Sequence, residues 1–106
     1  MAFDIIWTKR AETDLNYIYD HIALDDKLNA NTVARQIVTA VKSLSEMPGR
    51  TRFVPELLRQ NISTYRELIV SVWRVIIYIG DDKVYVLGII DSRCDAEDIL
   101  FKRLLL

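Results

Sequence analysis

Three arginines stand within or at the end of apolar, strand-like segments in the second half of the chain: Arg66, Arg74 and Arg93. A guanidinium in such a segment needs a carboxylate, a bound ligand or a solvated sheet face. The ordinary interpretation is a set of ion pairs on an exposed sheet face. The carboxylates that would pair with them are Glu56, Glu67 and Asp95. The alternative is a surface that binds an anionic partner.

Aromatic side chains adjoin two of these arginines and extend the candidate surface. Tyr65 precedes Arg66, and Trp73 precedes Arg74. Such rings combine a large apolar area with a polar atom, which suits a partly wet interface. We therefore take Tyr65, Arg66, Trp73, Arg74 and Arg93 as the candidate binding residues.

Acid–base chemistry has few candidates in this chain. His21 is the only histidine, and it lies far in sequence from the end of the last strand-like segment. From its place on the first helix, beside Ile22, we expect it to be a surface or boundary residue. Tyr65, Tyr78 and Tyr85 could in principle act as acids. Tyrosines at strand positions are more often packing residues. The sequence therefore predicts no catalytic residue.

Metal and cofactor chemistry is not indicated either. The chain has one cysteine and one histidine, and so no pair with metal-ligand spacing. Its three glycines form no phosphate-binding loop. We expect Cys94 to be a small, half-buried residue at a strand end. A single cysteine cannot form an internal disulfide and fits a reducing cytosol.

Three apolar, β-branched runs must position the arginines: 65–70, 73–79 and 84–90. Gly80-Asp81-Asp82 reads as a hairpin turn between the last two runs. A tight turn at Ser71-Val72 would divide the first two, because a single strand there would be too long. The result is a three-stranded antiparallel meander. Both of its faces are rich in apolar residues, so we expect one face to be buried and the other partly covered.

A strand and two helices precede the meander. Residues 3–7 alternate like a strand, and Thr8 is a plausible N-cap for a helix over 9–24. Asp26 can cap a second helix over 27–47, which Pro48-Gly49 would stop. The connection between the helices is short and predicts an antiparallel hairpin.

A short helix over 96–106 would close the chain, and the order β-αα-βββ-α predicts an α+β fold of two layers in one domain, 1–106. The N-terminal strand would lie beside the last meander strand in a four-stranded sheet. The strand over 65–70 would then form an open edge that accepts a strand from a partner.

Short motifs along this pattern resemble the ParE/RelE toxins of toxin–antitoxin modules. They are Y-R-E-L at 65–68, W-R-V-I-I-Y at 73–78 and I-I-D-S-R-C-D at 89–95. P-G-R at 48–50, followed by P-E at 55–56, resembles the connection that precedes them in that family. Length, order and spacing agree over nearly the whole chain, and the motifs are most similar to those of ParE.

The resemblance implies a RelE/ParE-like fold and the toxin component of a type II toxin–antitoxin module. On the ParE side it implies a non-enzymatic inhibitor that binds DNA gyrase, is neutralised by a cognate ParD-like antitoxin and serves plasmid stabilization. The candidate residues would then bind the target or the antitoxin. The antitoxin would follow a long apolar groove between helices and sheet, rimmed by the three arginines.

Two alternatives remain open. The first is a RelE-like, ribosome-dependent mRNA endonuclease. Asp91 and Cys94 stand where the family often has histidine and arginine, which removes positive charge and weakens this alternative. The second is a toxin fold kept only as a binding partner for the antitoxin.

Composition and charge bear on nucleic-acid binding and on the cellular location of the protein. The 106 residues carry a net charge of −1, with a pI near 5.8. Proteins that bind nucleic acid through phosphate contacts are usually strongly basic, so we expect no direct sequence-specific nucleic-acid binding. The N-terminus does not resemble a signal peptide, and no apolar run is long enough for a membrane span. We therefore expect a cytoplasmic protein.

Overall fold

The computed structural model describes residues 2–105, with Leu105 described by its backbone alone. Within that range the chain forms five strands and four α-helices, and a π-helical turn, Phe101–Leu105, continues the last helix. Their bounds are β1 (Asp4–Trp7), α1 (Lys9–Ala23), α2 (Lys27–Lys42), β2 (Arg52–Phe53), α3 (Pro55–Leu58), β3 (Arg66–Val70), β4 (Trp73–Ile79), β5 (Lys83–Asp91) and α4 (Ala96–Leu100). The predicted α+β order is confirmed, with β2 and α3 added inside the connection to the meander. No helix in the described range is long and apolar enough to cross a bilayer.

The strands form one sheet in the order β1-β5-β4-β3-β2. The N-terminal strand β1 pairs in parallel with β5, beside the meander as predicted. The expected four-stranded sheet is wrong, because β2 pairs with β3 through Arg52↔Glu67 and Phe53↔Arg66. In the described chain no strand pairs with residues 68–70 on that side, so only this part of β3 remains an open edge.

The helical hairpin covers one face of the sheet, called here the hairpin face. Thr8 Oγ1 accepts a hydrogen bond from the Ala11 N–H at 3.3 Å, and Asp26 Oδ1 accepts one from the Asn29 N–H at 3.0 Å. Both predicted N-caps are therefore present and start the helices where expected. The buried residues of this layer are Ala11, Ile18, Ile37, Val41, Leu44, Val75, Ile77, Val84, Val86 and Ile89.

The second helix ends earlier than predicted. It stops at Lys42, a short 3-10 turn covers Ser43–Ser45, and Leu44 is the last buried residue of its apolar stripe. Met47 has a φ of 52° and is 77% exposed. A residue that precedes a proline rarely adopts helical dihedral angles, because it would clash with the proline ring. Met47 is such a residue, so the helix cannot continue to it.

The second face of the sheet is partly covered, as predicted, by α3 and α4. Its cluster consists of Val54, Leu57, Ile76, Ile90, Ala96 and Leu100. The predicted C-terminal helix is α-helical only over Ala96–Leu100 before it widens into the π-helical turn. The end of that prediction, at Leu106, lies outside the described residues.

A bulge interrupts the β4–β5 ladder near the middle of the sheet. Ile77 lies opposite Val86 and Ile76 opposite Gly88, so Leu87 is an extra residue on β5. A bulge of this kind re-aims the backbone beside it, and this one lies where α1 and the C-terminal helix meet the sheet.

Candidate functional site

Arg74 is the centre of a buried charge network on the second face. Its Nη1 and Nη2 donate to the two Glu56 carboxylate oxygens at 2.7 and 2.6 Å, and its Nε donates to Glu67 Oε1 at 2.7 Å. Arg52 donates to the other Glu67 oxygen through Nε at 2.7 Å and lies 2.6 Å from it through Nη2. Two arginines and two glutamates thus form one neutral, fully hydrogen-bonded group.

The prediction that Arg74 lies on an exposed sheet face is wrong. Arg74 is only 6% exposed, and its partner Glu67 is only 1% exposed. The expected partners Glu56 and Glu67 are right. Because α3 packs over the second face of the sheet, it places Glu56 next to Arg74 and shields this ion pair from water. The sequence order alone could not show that a four-residue helix would act as this cover.

Arg74 and Glu56 stabilise each other in their charged forms. Its hydrogen bonds, first those with Glu56, raise the pKa of Arg74 and outweigh the opposing effect of burial. The hydrogen bonds from Arg74 lower the pKa of Glu56 from its ordinary value of 4.5. The guanidinium of Arg74 therefore stays charged and paired.

Arg66 faces the other side of the sheet and binds neutral groups. Its Nη1 donates to the carbonyls of Thr51 at 2.6 Å and Gly49 at 3.3 Å. Its guanidinium carbon lies 4.1 Å from the centroid of the Phe53 ring. Among the described residues it thus has a cation–π contact and carbonyl partners but no ion pair, and it keeps its positive charge.

Arg93 lies just beyond β5 and folds back onto Asp91. Its Nε and Nη2 donate to the two carboxylate oxygens of Asp91 at 2.9 and 2.7 Å, and its own backbone N–H also donates to Oδ1. The hydrogen bonds from Arg93 lower the pKa of Asp91. The Arg93 side chain is 70% exposed, so this pair is open to exchange with a partner's carboxylate.

A groove of about 350 Å³ lies at this end of the sheet, and its wall includes Tyr17, His21, Trp73, Asp91 and Cys94. His21 is exposed, as predicted, and stacks on Tyr17 with ring centroids 6.0 Å apart. His21 is far from β5 in sequence but not in the structure, because α1 places it at the end of that strand. Cys94 is exposed, and the prediction of a half-buried thiol is wrong because the residue follows the turn after β5 rather than the strand.

The five candidate binding residues therefore do not converge. Trp73 lies opposite Asp91, while Tyr65 packs in the cluster beneath α3 and α4. In the part of the chain that the structure describes, the predicted single groove rimmed by all three arginines is not formed. The reason is alternation along the strands, which sends Arg66 and Arg74 to opposite faces of the sheet.

Sequence reasoning missed one polar centre, Asp14 on α1. Its Oδ2 accepts the Ile89 N–H beside the bulge at 3.0 Å and an Arg103 Nη1 proton at 2.8 Å. A Cβ at Gly88 would lie 3.0 Å from Arg103 Nη1 and 3.1 Å from Asp14 Oδ2. A glycine inside an apolar strand is a signal for a bulge and a close approach, and this signal was available in the sequence.

Metal binding has no support in residues 2–105, where no group of three potential ligand side chains comes together. The arrangement at the sheet end offers hydrogen bonds, aromatic surface and charge. It is therefore suited to binding a macromolecular partner.

Comparison with known proteins places these features in a family. The model of the ParE toxin of the type II toxin–antitoxin system parDE matches residues 5–96. The protein named Toxin RelE2 of Caulobacter vibrioides is 32% identical over 85 residues, which cover 80% of this chain and 90% of the relative.

Two solved structures share the fold. The chromosomal ParDE system from P. aeruginosa has a TM-score of 0.71 and 22% identity, covering 85% of this chain and 96% of the other. The toxin–antitoxin complex RelBE2 from Mycobacterium tuberculosis has a TM-score of 0.60 and 18% identity, covering 86% and 92%. The match to the family model over residues 5–96 and the relative from Caulobacter vibrioides show that the chain belongs to the ParE toxin family of type II toxin–antitoxin systems.

Proposed function

We propose that this toxin acts in the cytoplasm, where it inhibits DNA gyrase by binding it and is neutralised by a ParD-like antitoxin. The function in plasmid stabilization that the family resemblance implies belongs to the same proposal. The Arg74 network is the observation that favours a binder over a nuclease. An arginine on the sheet that is fully paired with carboxylates has no charge left to hold an RNA phosphate.

The positions of the other arginines support the same choice. Arg66 lies opposite Ile77, whereas Arg93 follows Asp91, which lies opposite Trp73. Four residues of an extended strand separate these positions by about 13 Å. Phosphoryl chemistry requires positive charge and an acid or base gathered at one reacting group. Arg66 is held by the Thr51 carbonyl and Arg93 by the Asp91 carboxylate, so the two guanidinium groups are not gathered at one such group, which supports a binder.

The surfaces that remain suit protein partners. The open edge at residues 68–70 of β3 can accept an antitoxin strand through backbone hydrogen bonds. Trp73 borders the groove at the sheet end, and the exposed Arg93 is paired with Asp91 of the groove wall; an aromatic ring and an exposed guanidinium are typical binding anchors. Arg66 and Tyr65 are the other candidate binding residues. Arg74 contributes indirectly, because it holds α3 on the sheet.

A RelE-like mRNA endonuclease is the second candidate, and one observation favours it. His21 lies in the groove at the end of β5, close enough to share its wall with Tyr17 and Asp91. An imidazole and a phenol in one groove are possible proton-transfer groups. The relative from Caulobacter vibrioides also carries the name RelE2.

Two assays on the purified toxin, released from its antitoxin, separate these candidates. The first measures supercoiling of relaxed plasmid DNA by gyrase, and the second maps cleavage of an mRNA on translating ribosomes. We expect supercoiling to be inhibited while the mRNA stays intact, and added antitoxin to restore supercoiling. Ribosome-dependent cleavage that is lost in His21→Ala would instead establish the nuclease. Antitoxin binding with neither activity would leave only the role of a binding partner.

A further inference from the structure

A shallow concave surface lies at the end of the helical hairpin, away from the groove at the end of β5. We call it the Met47 surface. Its volume is about 540 Å³, and it is bordered by Phe3, Met47, Gly49, Arg50, Arg66 and Ile79. The floor is apolar and the border holds two guanidinium groups, so this surface offers both kinds of contact that a protein partner uses.

Both arginines of the Met47 surface are held by neutral acceptors. Arg50 donates to Ser43 Oγ at 2.7 Å and to the backbone carbonyl of Glu46 at 3.0 Å. Arg66 donates to the Thr51 carbonyl at 2.6 Å. Among the described residues neither forms an ion pair, so the surface carries two uncompensated positive charges in a chain whose net charge is −1.

Met47 presents an apolar side chain to solvent from an uncommon backbone conformation. Its φ of 52° is left-handed, and the residue is 77% exposed. Such a conformation persists only where the surroundings hold it. Here the Arg50 N–H donates to the Met47 carbonyl at 3.1 Å, and the Arg50 side chain ties the turn to residues 43–46. Packing within the fold does not require this exposure, whereas a flexible thioether is well suited to an interface.

We propose that the Met47 surface binds an acidic segment of the antitoxin. In this arrangement an apolar side chain of that segment packs on Met47, and its carboxylates meet Arg50 and Arg66. The inference rests on the antitoxin partner of the proposed function and adds the place and chemistry of one contact. Nucleic acid fits less well, because the chain is slightly acidic overall and the floor of the surface is apolar.

Gly49 provides a sharp test. A Cβ built at this position meets nothing within 4 Å, and its φ is not left-handed, so a side chain there fits without strain. Gly49→Glu and Gly49→Lys add similar bulk with opposite charge at the border of the surface. Both variants are measured as purified chains against the antitoxin encoded beside the toxin gene, by titration calorimetry at about 0.1 M and 0.5 M salt.

We expect Gly49→Glu to bind the antitoxin about tenfold more weakly than Gly49→Lys at low salt, and the difference to shrink at high salt because the charges are screened. Arg50→Gln should weaken binding in the same direction, while Arg35→Gln on the exposed side of α2 serves as the matched control. Thermal unfolding of each variant without antitoxin checks that the fold is intact.

The other outcomes would overturn the inference in distinguishable ways. Equal affinity of both Gly49 variants and the wild type would show that the antitoxin does not use this surface, although its binding would leave the proposed function standing. Unchanged antitoxin affinity with weakened inhibition of gyrase would assign the surface to the target instead. An antitoxin that fails to bind even the wild-type chain would overturn the proposed partner itself.

Discussion

Arg74 and Glu56 form a two-armed ion pair across the second face of the sheet, with N–O distances of 2.7 and 2.6 Å. Both residues belong to the short motifs through which the chain resembles ParE toxins. In this chain these two motif positions therefore attach α3 to β4.

Arg74→Ala should destabilise the toxin by about 3–5 kcal/mol. Removing one partner of a buried pair leaves the carboxylates of Glu56 and Glu67 without compensation. Urea unfolding of the isolated chain measures this change, with Arg35→Ala as an exposed control on α2 that we expect to stay within about 0.5 kcal/mol. A loss below about 1 kcal/mol for Arg74→Ala would mean that water reaches the network.

The stabilising effect of Glu56 should depend on acid pH. Hydrogen bonds from Arg74 lower the pKa of Glu56 below its ordinary value of 4.5. A carboxylate with a lowered folded-state pKa stabilises the fold fully above its unfolded-state value, and this contribution disappears as the pH falls through the folded-state value.

Unfolding of wild type and Glu56→Gln, compared from pH 7 to pH 3, measures this dependence. The difference between the two proteins should be constant above about pH 5.5 and should shrink below pH 4.5, the ordinary value. A difference that stays constant down to pH 3 would contradict the lowered pKa.

Gly88→Ala should destabilise the fold by about 1–2 kcal/mol. The new methyl group would lie 3.0 Å from Arg103 Nη1 and 3.1 Å from Asp14 Oδ2. Arg103 can move aside, but Asp14 also accepts the Ile89 N–H beside the bulge and cannot shift without losing that bond.

Gly49→Ala is the matched control for this substitution, since its added methyl group meets no atom within 4 Å. Thermal unfolding of the two variants should therefore separate them clearly. Equal melting temperatures would show that the contact between α1 and the bulge adapts freely.

Cys94 should react with a thiol reagent in the native protein. It is the only cysteine and is exposed at the end of β5. We expect one thiol to be labelled by Ellman's reagent without denaturant, at a rate within about tenfold of the rate in denaturant. Labelling only after unfolding would indicate that the turn after β5 covers the thiol.

Local patterns in the sequence were sufficient to predict most of the elements. The N-caps at Thr8 and Asp26 and the turn at 80–82 depend on neighbouring residues, and the structure has all three. The family resemblance then supplied the arrangement of these elements in space.

Contacts between distant segments could not be predicted in this way. The burial of Arg74 depends on a four-residue helix that begins 19 positions earlier, at Pro55 (74 − 55). The position of His21 beside Asp91 depends on how α1 lies on the sheet. The sequence of each segment shows that a guanidinium or an imidazole is present, but the packing decides which groups it meets.

The parallel pairing of β1 with β5 has a consequence for synthesis of the toxin. The Thr8 hydroxyl donates to the Val86 carbonyl across 78 positions of sequence, and β5 lies between β1 and β4 in the sheet. A growing chain that has not yet reached β5 has no strand to join its N-terminal strand to the rest. Such non-local pairing forms late in folding. A product of interrupted translation that lacks β5 is therefore unable to become a folded toxin, and the cell is exposed to the toxin only after β5 has been made.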